Sequence, residues 1–146
     1  MNRGLHDERL ARVVSWFERL TRADVASLGD IYAANAYFRD PFNEVRGVPA
    51  IRKIFEDMFE RLADCRFEMI DAVSDASGSL ITWDMTFRFR SYRPDAPQKI
   101  HGASHLKFDA AGRIVYHRDY WDAADELYAK LPVIGPVMRY VKRRMA

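Results

Sequence analysis

The residues with the clearest capacity for chemistry lie in one stretch, HGASHLKFDAAGRIVYHRDYW, at positions 101–121. This stretch predicts two long strands joined by a tight turn at Asp109-Ala110-Ala111-Gly112. We expect Phe108 to pair with Arg113, which places alternate side chains of the two strands on one face. The residues on that face are Ser104, His117, Asp119 and Trp121. The spacing therefore predicts a polar set of side chains beside an aromatic wall.

A second candidate carboxylate, Asp40, stands in the run AYFRDPF, whose alternation predicts a short strand over Ala36 to Phe42. Pro41 cannot donate to a ladder, so this strand lies at an edge or ends there. A carboxylate enclosed by apolar side chains has its charged form disfavoured, so it can accept a proton at neutral pH. We predict that Asp40 and Asp119 converge on one cavity, with Asp40 as the base and Asp119 anchored by its neighbours. His117 can orient the ligand or relay a proton.

Each of these residues also has a purely structural interpretation. Asp40 can bond the backbone around Asn43 or pair with a nearby arginine. Asp119 can be a buried acid satisfied by His117 or Tyr32, because buried polar groups in proteins are normally hydrogen-bonded. His117 can likewise be a hydrogen-bonded residue of the cavity wall.

The opposite face of the predicted hairpin holds a mixed set of side chains: His101, His105, Lys107, Tyr116, Arg118 and Tyr120. His101 and His105 are too widely separated along a strand to bind a metal together, so we predict no metal site and no cofactor. Tyr116 and Tyr120 share one face at a spacing that permits an aromatic interface patch. We therefore predict a homodimer packed through the outer face of the sheet.

The elements that position these residues begin with helices. Apolar residues at helical spacing predict a first amphipathic helix from Asp7 to Leu20. Thr21 and Asp24 form a capping-box variant, from which a second helix continues to about Asn35. A third helix starts at Gly47-Val48-Pro49, and its buried face runs from Ile51 to Leu62.

Strands dominate the second half of the chain. We predict a strand over Arg66 to Val73 and a clearer one over Leu80 to Arg90, where apolar and polar residues alternate. Helices followed by strands with long alternation indicate an α+β fold, in which helices cover one face of a curved antiparallel sheet. The three N-terminal helices are expected on the concave face, with a helical segment at the C-terminus.

The composition bounds the possible classes of function. A chain of 146 residues is predicted to be a single domain, residues 1–146, with one core. Charged residues at 30% and hydrophobic residues at 49% exclude wholesale disorder, and a net charge of +2 gives no general reason to bind nucleic acid. The single cysteine, Cys65, and the absence of an apolar leader favour a cytoplasmic protein.

Two runs carry a resemblance to a known family: IYAANAYFRDPFNEVRGVPAIRKIF, with an acid before a proline and then a glycine-started helix, and FDAAGRIVYHRDYWD, a hairpin ending in an aromatic pair. The chain resembles the nuclear transport factor 2-like superfamily, within it the SnoaL-like branch of ketosteroid isomerases, polyketide cyclases and limonene epoxide hydrolase. The resemblance runs from about Asp7 to Ala124. It implies a cone whose curved sheet and helices enclose a deep apolar pocket, frequently in a dimer.

Ketosteroid isomerases place a proton-abstracting aspartate in the strand that matches FRDP, where this chain has Asp40. The positions of their two oxyanion donors hold Trp16 and Ser104 instead. The resemblance therefore carries over the base of that mechanism but not its oxyanion partners.

Limonene epoxide hydrolase uses an aspartate in the final strand, in a run similar to HRDYW, where this chain has Asp119. Its partner arginine and second aspartate correspond to Trp83 and Met85, which supply neither charge nor a second carboxylate. The match to that mechanism is half complete.

Two classes of function follow. One is an enzyme that acts on a small hydrophobic molecule by acid/base catalysis, either by proton transfer next to a carbonyl or by activation of water. The other is a non-catalytic module that binds an apolar ligand or a protein partner in the same cone. The predicted ligand-binding residues are Trp16, Tyr32, Phe38, Trp83, Met85, Phe87, Ser104 and Trp121.

The C-terminal segment, residues 123–146, is predicted to be a helical lid or a basic extension. A helix from Ala123 to Lys130 breaks at Pro132, and a short basic helix follows Gly135-Pro136. The apolar run from Leu131 to Pro136 is expected to close the cone as a lid. The alternative is contact with an anionic membrane surface, because basic residues follow this apolar turn.

Overall fold

A single sheet with helices on one side forms the fold. The computed structural model describes residues 5–126 and 134–146. The helices are α1 (Glu8–Glu18), a 3₁₀ helix (Arg22–Asp30), α2 (Val48–Arg61), α3 (Ala123–Glu126) and α4 (Ile134–Met145). The strands are β1 (Tyr32–Arg39), β2 (Glu44–Arg46), β3 (Leu62–Asp75), β4 (Gly78–Phe89), β5 (Gln98–Phe108) and β6 (Ile114–Tyr120).

The strand order across the sheet is β2-β1-β6-β5-β4-β3. Strands β1 and β6 run parallel, and the other neighbouring pairs are antiparallel. Helices α1 and α2 pack on the inward face, where Leu10 and Ile51 join Ile81 and Trp83 in one buried core. The predicted α+β class is confirmed, and the strand predicted before the third helix corresponds to β1, which β2 follows.

The first helix forms where its sequence predicts. The Asp7 side chain caps it, accepting hydrogen bonds from the backbone N–H groups of Arg9 (2.9 Å) and Leu10 (3.4 Å). Leu10, Val13 and Val14 are buried on one face. This apolar stripe holds the helix on the sheet, because burial of such a face supplies most of a short helix's stability.

The second predicted helix is a 3₁₀ helix and ends at Asp30, well before Asn35. Its Thr21 N–H does bond the Asp24 carboxylate at 2.8 Å, as the capping-box pattern predicts. Tyr32 instead begins β1, because the Ile31 carbonyl accepts a hydrogen bond from Ile114 N–H and Tyr32 pairs with Ile114 in β6. Pairing with a strand distant in sequence thus overrides the local helical spacing.

The register between β5 and β6 differs from the predicted one by one residue at Phe108 and by two residues beyond the adjacent bulge. Phe108 pairs with Ile114 rather than Arg113, and a bulge next to this pair leaves Ser104 opposite Asp119 rather than His117. The Asp109 side chain accepts bonds from the N–H groups of Ala111 and Arg113, which makes the turn longer than expected. Because side chains alternate with a period of two, the even shift leaves the predicted faces unchanged.

The C-terminal segment is only partly described. Helices α3 and α4 are present, and the Lys142 ammonium donates to the Asp125 carboxylate at 2.6 Å. The centre of the predicted lid, Leu131 to Val133, lies outside the described residues, so the lid stays a prediction. Within the described ranges, no helix is long and apolar enough to cross a bilayer.

The predicted dimer face is the outer side of the sheet. Tyr120 and Leu80 are exposed there, and Tyr116 stacks on Tyr37 with ring centroids 5.2 Å apart. Sedimentation velocity at micromolar concentration should give about twice the 17.0 kDa chain mass. Leu80→Lys should return the single-chain mass, because a buried unpaired charge disfavours association. A wild-type protein that sediments at the single-chain mass would contradict the predicted dimer.

Gly102 offers a test of how tightly the sheet packs. A Cβ there would lie 2.6 Å from Cη2 of Trp83 and 3.1 Å from Cβ of Trp121. We expect Gly102→Ala to lower the free energy of unfolding by about 1–3 kcal/mol, since the indole has to leave its rotamer. Urea unfolding measures the change. Gly29→Ala is the matched control, because a Cβ at Gly29 meets nothing within 4 Å, and equal stability losses in both variants would contradict the prediction.

Candidate functional site

The inward face of the sheet and the helices α1 and α2 enclose a cavity of about 620 Å³. Its lining is mainly apolar and aromatic, with side chains from the sheet and from α2. Members of this lining include Phe38, Phe55, Met58, Phe67, Trp83 and Phe87. A volume of this size suits a small organic molecule with a hydrophobic body.

The structure brings most of the predicted site residues to this one cavity. The predicted residues that line it are Asp40, Asp119, His117, Phe38, Trp83, Met85, Phe87, Ser104 and Trp121. Trp16 and Tyr32 are not in the lining. Trp16 packs edge-on against the rings of Phe17 and Phe55, and Tyr32 is buried behind His117.

Two chains of hydrogen bonds meet at Asp119. The Trp83 Nε1–H donates to Ser104 Oγ at 2.8 Å, and the Ser104 hydroxyl donates to Asp119 Oδ1 at 2.5 Å. The second chain joins Tyr32 OH to His117 Nδ1 (2.7 Å) and His117 Nε2 to the same Oδ1 (2.6 Å). Both chains therefore end on one oxygen of one carboxylate.

The directions of these bonds follow from the chemistry of each group. A carboxylate only accepts, so His117 donates from Nε2 to Asp119. In the neutral imidazole, Nδ1 then accepts a hydrogen bond from the Tyr32 hydroxyl. A neutral imidazole protonated at Nε2 satisfies both contacts. Oδ1 of Asp119 is thus held by two donors, while Oδ2 has no hydrogen-bond partner among residues 5–126 and 134–146.

Aromatic rings fix the orientation of the His117 imidazole. The Tyr32 ring is stacked parallel to it with centroids 5.9 Å apart, and the Phe38 and Phe17 rings meet it edge-on at 4.8 Å and 5.9 Å. The His117 side chain is 6% exposed and that of Asp119 is 19% exposed. The imidazole is therefore enclosed, whereas the carboxylate reaches the cavity.

The Tyr32 hydroxyl is a proton donor that does not ionise under ordinary conditions. Its pKa is raised well above the usual 10.0, first because burial disfavours the phenolate and second because the Asp119 carboxylate lies nearby. Tyr32 consequently remains protonated at physiological pH, so its hydroxyl can donate to Nδ1 of a neutral His117 imidazole.

Asp40 lies in the cavity wall in a different setting. Its Oδ1 accepts from the N–H groups of Phe42 (2.8 Å) and Asn43 (2.7 Å), and the Asn43 amide nitrogen contacts both carboxylate oxygens at 3.1 Å. Asp40 N–H in turn donates to the Asn43 carbonyl at 2.9 Å. This geometry corresponds to the structural interpretation of Asp40, in which the carboxylate organises the loop between β1 and β2.

Sequence reasoning missed a large part of the cavity wall. The helical spacing of α2 predicts only a core face for its apolar residues, which include Phe55 and Met58, whereas both line the cavity. Cys65 and Phe67 of β3 line it too, and their alternation with Met69 is a signal for an inward face that starts before the predicted strand at Arg66. A core face and a cavity wall have the same apolar pattern, so periodicity alone cannot separate them.

Within the described ranges, no three His, Cys, Asp or Glu residues lie close enough together to coordinate a metal ion.

Residues 13–117 match the sequence model of the SnoaL-like domain, which corresponds to most of the chain. Comparison with curated proteins gives no match.

Solved structures with the same architecture are numerous. A hypothetical protein with a ketosteroid isomerase-like fold from Catenulispora acidiphila superposes with a TM-score of 0.70 at 14% identity, over 82% of this chain and 89% of that one. An LEH-like epoxide hydrolase from M. tuberculosis gives 0.66 at 18% identity, over 92% and 96%. A SnoaL-like polyketide cyclase candidate from Shewanella putrefaciens gives 0.68 at 18% identity, over 83% and 96%. At these identities the similarity shows the fold, and the predicted cone is confirmed.

The buried phenol predicts a particular dependence of stability on pH. The unfolded chain ionises Tyr32 near pH 10.0, whereas the folded chain does so only at higher pH. Above pH 10.0 the wild type should therefore lose free energy of unfolding relative to Tyr32→Phe, by up to about 1.4 kcal/mol per pH unit. Below that pH the variant should be less stable by about 1–3 kcal/mol, since His117 loses its hydrogen-bond donor.

Urea unfolding of both proteins between about pH 8 and pH 11 measures this difference. All other tyrosines are common to both proteins, so their ionisation cancels in the comparison. A difference in stability that stays constant across this range would contradict the burial of a protonated Tyr32.

Proposed function

Because the chain belongs to the SnoaL-like domain family, we propose that it binds a small hydrophobic molecule and transfers a proton next to a carbonyl of that molecule. Asp119 is the proposed base. The observation that carries this proposal is the hydrogen bonding of Asp119, in which both donors contact Oδ1 and Oδ2 remains available to a ligand. The cavity supplies the apolar surroundings for the body of the substrate.

The proposed step balances without a cofactor. Oδ2 of Asp119 accepts the proton from the carbon next to the carbonyl, and the C–H electron pair moves into the enolate with charge on the carbonyl oxygen. Return of the proton to another carbon, or attack of the enolate carbon on an electrophile in the same molecule, completes an isomerisation or a cyclisation. Both outcomes use the carboxylate first as a base and then as an acid.

His117 and Tyr32 are positioning residues in this proposal. The imidazole holds the Asp119 carboxylate through Nε2, and the Tyr32 hydroxyl keeps the imidazole proton on Nε2 by donating to Nδ1. Ser104 holds the same oxygen from the other side. The Asp119 carboxylate thus keeps one orientation, and its Oδ2 faces the ligand throughout the proton transfer.

Asp40 has a different proposed role from the one that the sequence favours. Its oxygens are engaged by the N–H groups of Phe42 and Asn43 and by the Asn43 amide, which supports a role in shaping the loop beside the cavity. The two carboxylates line the same cavity, as predicted, but the geometry supports Asp119 rather than Asp40 as the base.

Hydrolysis of an epoxide has less support at this site. Opening an epoxide needs an acid at the ring oxygen in addition to a base for water. Trp83 and Met85 stand at the positions for which the resemblance to limonene epoxide hydrolase implies an arginine and a second aspartate. The Trp83 N–H is already bonded to Ser104.

A non-catalytic binding module is the second candidate, favoured by one observation. The donors nearest to Asp119 are used within the protein: Trp83 bonds Ser104, Ser104 bonds Asp119, and Tyr32 bonds His117. An enolate oxygen would therefore receive little stabilisation from this group of donors. A protein that only binds its ligand has no need of such stabilisation.

Exchange of carbon-bound hydrogen tests the proposed chemistry without knowledge of the natural substrate. We expect the protein to accelerate incorporation of deuterium from D₂O next to the carbonyl of 2-tetralone, a small hydrophobic ketone, as followed by proton NMR. Asp119→Asn should lower the rate by about 100-fold or more, because general base catalysis contributes factors of this size. Asp57→Asn is the matched control, since Asp57 also lines the cavity but pairs with Lys53 at 2.6 Å.

Binding of the neutral dye N-phenylnaphthylamine separates the two candidate functions. Dye binding with no exchange in the wild type would overturn the catalytic proposal and support the binding module. Equal exchange rates in the wild type and in Asp119→Asn would overturn the assignment of the base. Hydrolysis of styrene oxide by the wild type, lost in Asp119→Asn, would support activation of water in place of enolisation.

A further inference from the structure

We propose that α4 is a membrane-contact helix, which places one of its faces on an anionic lipid surface. Half of the exposed large hydrophobic side chains of the described chain belong to this helix. They are Ile134, Val137, Tyr140, Val141 and Met145. Val137 is 57% exposed and Met145 is 84% exposed, so this apolar surface does not serve the core of the domain.

The apolar residues of α4 form a continuous stripe. At about 100° per residue, Ile134, Val137, Met138, Val141 and Met145 fall within an arc of about 100°. Lys142 and Arg144 flank this arc on its two sides, and Arg143 lies opposite it. An apolar arc bordered by long cationic side chains is typical of helices that lie in a membrane interface, because these side chains can reach the headgroups.

A different side of the helix faces the domain. Gly135 is buried, and Lys142 contacts Asp125 of α3 through an ion pair of 2.6 Å. Gly135 and Lys142 lie about 20° apart around the helix axis, roughly a quarter-turn from the centre of the apolar stripe. The stripe is therefore centred on a different side of the helix from these two contacts. None of the described α4 residues lines the cavity.

The positive charge of α4 favours an anionic lipid surface as the partner that contacts this stripe. The helix carries four cationic residues, Arg139, Lys142, Arg143 and Arg144, and no acidic one. Two copies of α4 packed stripe to stripe would bring the flanking cations of both copies, Lys142 and Arg144, to the edges of the contact, which disfavours self-association. An anionic bilayer complements both the cationic residues and the apolar stripe of α4. Its headgroups attract the cations, and its acyl boundary accepts the apolar side chains.

This inference is independent of the proposed function. The cavity and Asp119 do not contact the described part of α4, so activity on a water-soluble probe should not require the membrane. The proposal adds a location: the domain would work beside a bilayer, in which small hydrophobic molecules partition.

Flotation with lipid vesicles tests the proposal on the full chain. We expect the wild type to float with vesicles of phosphatidylcholine containing about one-third phosphatidylserine at ~0.15 M salt, and to remain behind with phosphatidylcholine alone. Substituting Val137→Ser and Val141→Ser together should lower the partition coefficient at least about tenfold, because apolar contact is lost while charge is unchanged. Arg143→Ser with Arg144→Ser should lower it by a similar factor.

Val73→Ser is the matched control. Val73 is a valine with 71% exposure on the outer face of the sheet, so its substitution should leave vesicle binding unchanged. Circular dichroism and urea unfolding confirm that each variant is folded before it is tested.

Several results would overturn the proposal. If the wild type does not float with the anionic vesicles, α4 is not a membrane-contact helix. Binding that survives both valine substitutions shows attraction by charge alone, without contact between the stripe and lipid. Loss of binding in Val73→Ser assigns the contact to the sheet face. A dimer that dissociates when Val137 and Val141 are replaced, with no flotation, identifies a second copy of the chain as the occupant.

Discussion

The convergence of two hydrogen-bond chains on Oδ1 of Asp119 is the interaction on which the site depends. Its members come from four strands that are adjacent in the sheet: Tyr32 from β1, His117 and Asp119 from β6, Ser104 from β5 and Trp83 from β4. A slip of one residue in any of these strands would turn a donor to the other face. The geometry of the site therefore depends directly on the register of the sheet.

Packing around this network limits how it can vary. Gly102 leaves room for the Trp83 indole, which needs that position to donate to Ser104. The rings of Tyr32 and Phe38 hold the His117 imidazole from two directions. In such surroundings of low polarity each hydrogen bond is strong, and an unpaired polar group is costly. The internal use of nearly every donor follows from this cost, and it leaves Oδ2 of Asp119 as the oxygen available to a ligand.

The two ends of the chain contribute differently to the domain. Helix α1 buries Leu10, Val13 and Val14 in the core, and its last turn adds Phe17 and Glu18 to the cavity wall. In helix α4, Gly135 is buried and Lys142 pairs with Asp125, while most of the apolar stripe is exposed. A helix that stabilises the core and a helix that offers a surface have similar amphipathic patterns. The difference lies in which face the neighbouring elements cover.

The sequence by itself determined the α+β class, the long hairpin and the common face of Ser104, His117 and Asp119, because alternation in a strand survives an even error in register. It did not determine that Tyr32 starts a strand, since pairing with Ile114 is a contact between distant parts of the chain. Only the tertiary structure decided which carboxylate keeps an oxygen without a partner among the described residues. Asp40 is bonded within its own loop, as one interpretation of the sequence allowed. The donors to Asp119 are His117 of β6 and Ser104 of β5, and the Ser104 contact joins parts of the chain that are distant in sequence, so it leaves no local pattern.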